Sequence, residues 1–326
     1  MRRREFITLV GGAAISAPFA ATAQQPARPP IIGFLGASSR SAISAWTDAF
    51  VQRLGELGWI DGRSVSIIYR WAEGRPDRAL ELAKELAGLR VNVIVTHANA
   101  GVTAAKRATS TIPIVFGAAG DPVDAGLVTN ITHPEANVTG LSLQQTDTAA
   151  KRLEIMRELV PNFRRLGILA NTNNRAAMLE LSQVEAAAKA LGLEITSARL
   201  RSVDDIAPAF DAMRGHVDML YFCNDPLLTN SRIPIAIMSA AARLPTMFNF
   251  RENVDAGGLM SYGANLPEMF RRAAEMVDKV LRGAKPGDLP VQQPTKFDLV
   301  INANTARALG IALPPSLIAR SDEVID

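Results

Sequence analysis

The feature that most constrains the fold of this chain is a regular alternation of short apolar runs with amphipathic segments. Residues 31–36 (IIGFLG) have the length and composition of a buried strand, whereas Ser44 to Leu57 carries apolar residues at helical spacing. Strands that alternate with helices form a parallel sheet covered by helices on both faces. The pattern restarts near residue 147. We therefore predict an α/β protein with two Rossmann-like lobes, each built on a parallel sheet.

The first 23 residues form a predicted export signal. Arginines at residues 2–4 precede an apolar stretch from Phe6 to Ala20, and Ala21-Thr22-Ala23 is a small-residue cleavage signature. The stretch is shorter than the roughly 20 residues needed to span a bilayer. We expect cleavage near Ala23 and a mature protein that does not span the membrane. The paired arginines fit the twin-arginine pattern, and an ordinary Sec signal is the alternative; either route exports the chain.

The lobe boundaries follow from the pattern. Residues 24–30 are a predicted linker. The first lobe is predicted to span residues 31–143, with about 251–284 returning to it, and the second to span residues 144–250, with about 285–326 returning to it. Roughly 300 residues remain after the leader, more than one small core usually holds.

Charge argues against a nucleic-acid partner. Without residues 1–23, which contain three Arg and one Glu, the chain has 32 Lys+Arg and 31 Asp+Glu. The sequence contains no run of five like charges and no basic stripe interleaved with aromatic residues. We therefore expect no nucleic-acid partner.

Sequence motifs of catalysis and cofactor binding are also missing. Residues 117–122 (GAAGDP) lack the glycine order of a dinucleotide fingerprint and the Lys of a phosphate loop, and no Gly-x-Ser-x-Gly elbow occurs. His97, His133 and His216 are dispersed without metal-ligand spacing. We predict no catalytic residue, no cofactor and no metal, and we interpret His97 as a strand-end residue and Trp46 as helix packing.

Small polar loops follow the predicted strands and indicate a binding site. Ligands of open parallel sheets gather beyond the carboxyl ends of the strands. These loops offer amides, hydroxyls and backbone N–H groups at Ser38, Asn99, Ala100, Asp121, Asn171, Asn173, Asn224 and Asp225. Both aspartates precede a proline, so helix capping is an alternative interpretation for each.

Two aromatic residues are further candidates for ligand contact. Trp71 ends a predicted strand, and Tyr262 lies at a predicted crossover between the lobes. Both are suited to stack on a ligand in a cleft. Local packing is the alternative for each.

Several stretches together resemble one family, the periplasmic substrate-binding proteins of ABC transporters. The closest resemblance is to the type I, leucine-binding-protein-like group that contains tryptophan- and tyrosine-binding components. It is carried by ELGWIDGRSVSIIYRWAEG, IPIVFGAAGDPVDAGLV, NVTGLS, GGLMSYG and LPVQQPTKFDLVINANTARALGIALPPSLIARSDEVI. The resemblance implies a periplasmic protein whose two lobes are joined by a hinge. They would close on a small molecule and deliver it to an ABC permease in the inner membrane.

Within this resemblance, an amino-acid-like ligand would contact both lobes. Its carboxylate would lie at a helix N-terminus near Ser38 or residues 99–101, and its ammonium would meet Asp121 or Asp225. The amides of Asn171, Asn173 and Asn224 would donate further hydrogen bonds, and Trp71 or Tyr262 would cover its side chain.

Two other functional classes stay open. A periplasmic ligand-sensing component of a signalling system would use the same fold. An enzyme built on two α/β lobes would need an acid and a base that converge in the cleft. The leading expectation is a non-catalytic solute-binding protein of an ABC uptake transporter.

Overall fold

The computed structural model describes residues 29–134 and 136–326. The predicted export signal and residues 24–28 of the predicted linker lie outside the described residues. Within the described ranges, no helix is both long enough and apolar enough to cross a membrane.

The first lobe is built on a five-stranded sheet. Its elements in chain order are β1 (Ile31–Gly36), α1 (Ser44–Glu56), β2 (Ser66–Trp71), α2 (Pro76–Gly88), β3 (Val93–Thr96), α3 (Ala98–Ala108), β4 (Ile114–Ala119) and β5 (Val138–Ser142). The strands pair in parallel in the order β2-β1-β3-β4-β5. Their carboxyl ends therefore meet at one edge of the sheet.

The second lobe is built on a seven-stranded sheet. The remaining elements are α4 (Ala149–Leu159), β6 (Arg165–Asn171), α5 (Arg175–Ala190), β7 (Glu194–Leu200), α6 (Ile206–Met213), β8 (Met219–Phe222), α7 (Pro226–Asn230), α8 (Arg232–Ala242), β9 (Thr246–Phe248), α9 (Arg251–Asp255), β10 (Met260–Ala264), α10 (Leu266–Leu281), β11 (Phe297–Asn302), α11 (Ala303–Leu309), α12 (Pro315–Arg320) and β12 (Glu323–Ile325). The strand order is β12-β11-β10-β9-β8-β6-β7, and only the β10–β11 pair is antiparallel.

Both faces of each sheet are buried. In the first lobe, Phe34 faces one apolar cluster, and Leu35, the next residue of β1, faces another. In the second lobe, the consecutive residues Ile168 and Leu169 of β6 likewise face two different apolar clusters. This alternation is what a sheet covered by helices on both sides requires, and it confirms the predicted α/β class with two lobes.

Asparagine and aspartate side chains begin several helices at the carboxyl ends of strands. Asn174 accepts the N–H of Ala176 at the start of α5, and Asp225 accepts that of Leu227 at the start of α7. These side chains satisfy N–H groups that have no partner within the helix. The loops between strand and helix stay short as a result.

The chain crosses between the lobes three times, near residues 143–148, 265 and 293–296. The placement of the last elements differs from the sequence expectation. Of residues 251–284, α9 and β10 lie with the second sheet, because β10 pairs with β9 through Met260–Met247; α10 alone packs on α1 and β4. Residues 291–292 bond to the first lobe, where the Gln292 N–H donates to Gly140 O over 2.9 Å.

Candidate functional site

The carboxyl ends of the two sheets face each other across a cleft that contains a small cavity. The cavity measures about 20 Å³, roughly the space of one water molecule. Its lining residues come from both lobes and from the crossovers between them: Ser38, Trp46, His97, Ala98, Ala118, Leu143, Asn224, Pro226, Thr229, Phe250 and Leu266. The lobes are therefore closed on each other in this structure.

Three aromatic rings line this cavity. The ring centroid of Trp46 lies 5.7 Å from that of His97 and 6.0 Å from that of Phe250, and both pairs meet edge to face. Within the described part of the chain, the lining contains no Asp, Glu, Lys or Arg. Such a surface suits a flat, largely apolar group. Among its polar residues, Asn224 already donates to Gln145 Oε1 and Thr229 to the carbonyl oxygen of Asp225.

His97 is a neutral part of the cavity wall. Burial lowers its pKa to about 3. Its Nε2 accepts the N–H groups of Ala37 over 3.0 Å and Ser38 over 3.4 Å, so the ring proton is assigned to Nδ1. The residue that follows, Ala98, has a φ of +56°, which is unusual for a side chain other than glycine. His97 thus holds the loop that follows β1 at the cavity.

Hydrogen bonds between the lobes surround the cavity. The Ser39 N–H donates to Asn230 Oδ1 over 3.0 Å, and the indole N–H of Trp46 donates to Glu252 Oε1. Burial raises the pKa of the Glu252 carboxyl, and the bond from Trp46 opposes that shift. The cavity therefore has a carboxyl group beside it, although no carboxyl group lines it.

The structure separates the predicted site residues into groups. Ser38 and Asn224 line the small cavity. Asn99, Ala100 and Asn173 instead line a larger interlobe cavity of about 290 Å³ nearer the outer rim. Asn99 also makes two hydrogen bonds of 2.8 Å to the backbone of Gly120, so its amide is already engaged.

The two predicted aspartates differ in their surroundings. Asp225 is buried, and its oxygens accept from Asn171 Nδ2, Asn174 Nδ2 and Leu227 N. These bonds favour the capping interpretation for Asp225. Asp121 is partly exposed and accepts the Thr146 N–H over 3.3 Å, and desolvation raises its pKa to about 6.

The remaining predicted residues lie away from the small cavity. Asn171 bonds to Asp225, as described above. Trp71 stacks on Tyr69, with ring centroids 5.9 Å apart. Tyr262 stacks on Phe297, also at 5.9 Å. Both aromatic residues are partly buried in packing within their own lobes.

Sequence reasoning missed four residues that build the cleft. His97, Trp46 and Phe250 line the cavity, and Glu252 lies beside it. The sequence alone indicates a strand-end residue for His97 and helix packing for Trp46. Phe250 and Glu252 could have been found from their position in the chain, because both follow strand β9 just as the other candidate loops follow their strands.

Comparisons with known proteins agree with this architecture. Residues 32–325 match the family described as ABC transporter substrate binding protein. A tyrosine-binding protein of Clostridioides difficile (strain R20291) is 26% identical over 260 residues, which cover 80% of this chain and 75% of that protein.

Solved structures show the same fold. An ABC domain in complex with L-Trp from Streptococcus pneumonia superposes with a TM-score of 0.86 at 26% identity, over 91% of this chain and 100% of that one. A leucine binding protein from Thermotoga maritima superposes with a TM-score of 0.59 at 14% identity, over 78% of this chain and 83% of that one. At that identity the second likeness concerns the fold alone.

Two α/β lobes that meet at the carboxyl ends of their strands, with a small cavity between them, have the architecture of a solute-binding protein of the type I periplasmic binding fold. The family match covers nearly all of the described chain. The chain belongs to the ABC transporter substrate-binding protein family.

Proposed function

We propose that this protein captures an aromatic amino acid, or a closely similar solute, and delivers it to an ABC permease in the inner membrane. In this proposal it acts in the periplasm as a binding protein and does not transform its ligand. The observation that carries the proposal is the neutral, aromatic cavity formed by Trp46, His97 and Phe250 where the lobes meet. The printed names of two relatives, a tyrosine-binding protein and a domain in complex with L-Trp, support the same class of solute.

Solute entry requires the lobes to separate. The closed cavity of about 20 Å³ is far smaller than an aromatic amino acid. A bound ring would therefore take the place of direct contacts between the lobes, such as the bond from Trp46 to Glu252. The solute would then shift the population of closed molecules by contacting both lobes.

Glu252 is the carboxyl group that we propose for the solute ammonium. Its Oε1 accepts the Trp46 N–H beside the cavity, whereas the oxygens of Asp225 are engaged with three donors in the second lobe. A solute ammonium would supply a stronger, charge-assisted partner than the indole N–H.

The test is calorimetry and thermal unfolding of the purified protein with L-tryptophan, L-tyrosine, L-leucine, glucose and 3-(indol-3-yl)propionate. The last compound is the control, because it has the tryptophan ring and carboxylate without the ammonium. We expect one-to-one binding of an aromatic amino acid. At a hundred times the Kd it should stabilise the protein by about 2.7 kcal/mol.

The selectivity of binding decides the proposal. We expect the deaminated analogue to bind at least about tenfold more weakly than L-tryptophan, since a buried charged group loses its partner. Equal affinity for both would remove the role of Glu252. Binding of leucine or glucose in preference to both aromatic amino acids would overturn the proposed solute class.

A further inference from the structure

A buried ion pair lies in the second lobe behind the cavity. Arg152 on α4 and Glu180 on α5 are joined by a 2.9 Å contact between Nη1 and Oε1, and their side chains are 2% and 0% exposed. The Tyr221 hydroxyl completes the cluster, because it accepts from Arg152 Nη1 over 2.8 Å and donates to Glu180 Oε1 over 2.7 Å.

The guanidinium of Arg152 contacts the main chain of β10 and of the first crossover. Its Nε donates to Tyr262 O over 2.7 Å, three residues before the crossover at Asn265. Its Nη1 also lies 3.4 Å from the carbonyl oxygen of Gln145, inside the first crossover. One side chain therefore connects the first crossover to the strand that leads into the second crossover.

The carboxylate of Glu180 bonds to the loop that lines the cavity. Its Oε2 accepts the backbone N–H of Asn224 over 2.8 Å. The Asn224 side chain in turn donates to Gln145 Oε1 over 3.1 Å. These bonds close a ring from Gln145 through Asn224, Glu180 and Arg152 back to Gln145.

Stability alone does not account for a pair buried to this degree. Removing two charges from water costs several kcal/mol per ion, and apolar replacements of buried ion pairs are often neutral or stabilising. What an apolar replacement cannot supply is a set of directed bonds to Asn224, Gln145 and Tyr262. These are the groups that join the cavity wall to the crossovers.

We propose that Arg152 and Glu180 are positioning residues of the solute site, which set the place of Asn224 at the cavity together with the path of the first crossover. The inference rests on the proposed function, because it assigns the pair a role in solute binding. A change in the crossovers as the lobes open would move Asn224, and a solute that holds Asn224 would favour the closed arrangement of the crossovers.

The test replaces the cluster with apolar side chains in the variant Arg152→Met/Glu180→Leu/Tyr221→Phe. The matched control, Arg165→Met/Asp218→Asn, removes another ion pair of the second lobe, which joins the neighbouring strand-end residues Arg165 and Asp218 over 2.7 Å. Affinity for L-tryptophan and L-tyrosine is measured by calorimetry, and hydrogen–deuterium exchange is measured without solute.

We expect the apolar variant to bind the preferred amino acid about tenfold more weakly or worse, and the control to stay within about threefold of wild type. We also expect faster exchange in both residues 143–148 and residues 223–229 of the apolar variant alone. Should the apolar variant not fold, Arg152→Lys serves instead, because it keeps the charge but its single ammonium cannot make the branched set of bonds.

Wild-type affinity together with unchanged exchange in both segments would overturn the inference. If the wild-type protein binds neither amino acid, the proposed solute fails, and the exchange of the two segments then decides the positioning role by itself. Faster exchange spread evenly over the whole second lobe would assign the pair a purely structural role.

Discussion

At the scale of single residues, the same dipeptide has different consequences in the two lobes. Asp225-Pro226 begins α7, and the Asp225 carboxylate is surrounded by donors. Asp121-Pro122 follows β4, where Asp121 has a φ of +38° and a single N–H donor from Thr146. Asp225 therefore acts as a helix cap, whereas Asp121 has a raised pKa. The difference lies in the number of donors around each carboxylate, which the dipeptide does not reveal.

The raised pKa of Asp121 predicts a pH dependence of stability. Its pKa rises from 3.8 to about 6 because of desolvation. Between these values the folded state retains a proton that the unfolded state releases, so the free energy of unfolding falls as pH rises from about 4 to 6. Asp121→Asn removes the titrating carboxyl group, so the free energy of unfolding of the variant should not fall in this way. We expect the variant to exceed wild type by about 1 kcal/mol at pH 7, a figure reduced for partial exposure, and to match it near pH 4.

Urea unfolding at pH 4, 5, 6 and 7 measures this effect. The control is Asp124→Asn, which removes the carboxyl group of an exposed neighbour. A difference between Asp121→Asn and wild type that is the same at all four pH values would contradict the assignment.

At the scale of elements, close packing at the ends of strands decides how the lobes meet. Gly120 follows β4 and lies against α5 and the first crossover. A Cβ at this position would lie 2.9 Å from Ala176 Cβ and 2.5 Å from Gln145 Oε1. Since Gln145 is itself held by bonds to Asn224 and to the carbonyl of Ala176, neither neighbour is free to move away.

Gly120→Ala should therefore hinder closure of the lobes. We expect affinity for the solute to fall about tenfold, with a loss of about 1–3 kcal/mol in stability from overpacking. The control is Gly55→Ala within α1, where no atom lies within 4 Å of the added Cβ. That change should stabilise the helix by about 0.5–1 kcal/mol.

Calorimetry and urea unfolding measure the two quantities. Unchanged solute affinity in Gly120→Ala would mean that α5 and Gln145 move aside, and that this contact does not limit closure.

At the scale of the whole molecule, three crossovers and a few polar contacts determine the relation between the lobes. The contact from Trp46 to Glu252 joins α1 of the first lobe to α9 of the second. Trp59 makes a comparable bond of 2.8 Å to Asp278, but both of these residues lie in the first lobe. The two indole groups therefore allow a contact between lobes to be compared with one inside a lobe.

Trp46→Phe should reduce the population of closed molecules, because it removes the N–H that bonds to Glu252 across the lobes. Both Trp46→Phe and Trp59→Phe should lower the free energy of unfolding by about 1–3 kcal/mol. Only Trp46→Phe should change the closed population. Spin labels at Arg107→Cys and Arg175→Cys report the opening, since these residues line the outer interlobe cavity from opposite lobes. Equal distance distributions in both tryptophan variants would show that the bond does not hold the lobes together.

Much of the architecture could be predicted from local patterns. The amphipathic segment from Ser44 to Leu57 corresponds to α1 (Ser44–Glu56), and the apolar run at residues 31–36 is β1. Strand β10 could not be assigned to its lobe in this way. Its apolar residues fit either sheet equally well, and only its pairing with β9 and β11 placed it in the second.

The candidate site was predictable in position but not in composition. Ser38 and Asn224 do line the cavity, because strand ends of a parallel sheet collect at one edge. Trp46 and His97 were not recognised, since an aromatic residue on a helix and a histidine at a strand end have the same sequence signature whether they pack inside a lobe or between lobes.

The sequence by itself determined the alternation of strands and helices, the two lobes and the edge at which their loops gather, because these depend on local periodicity and chain connectivity. Only the tertiary structure decided which residues face the cleft. Trp46 lies 206 residues before Glu252 in the chain, and their side chains meet only where the two lobes are in contact.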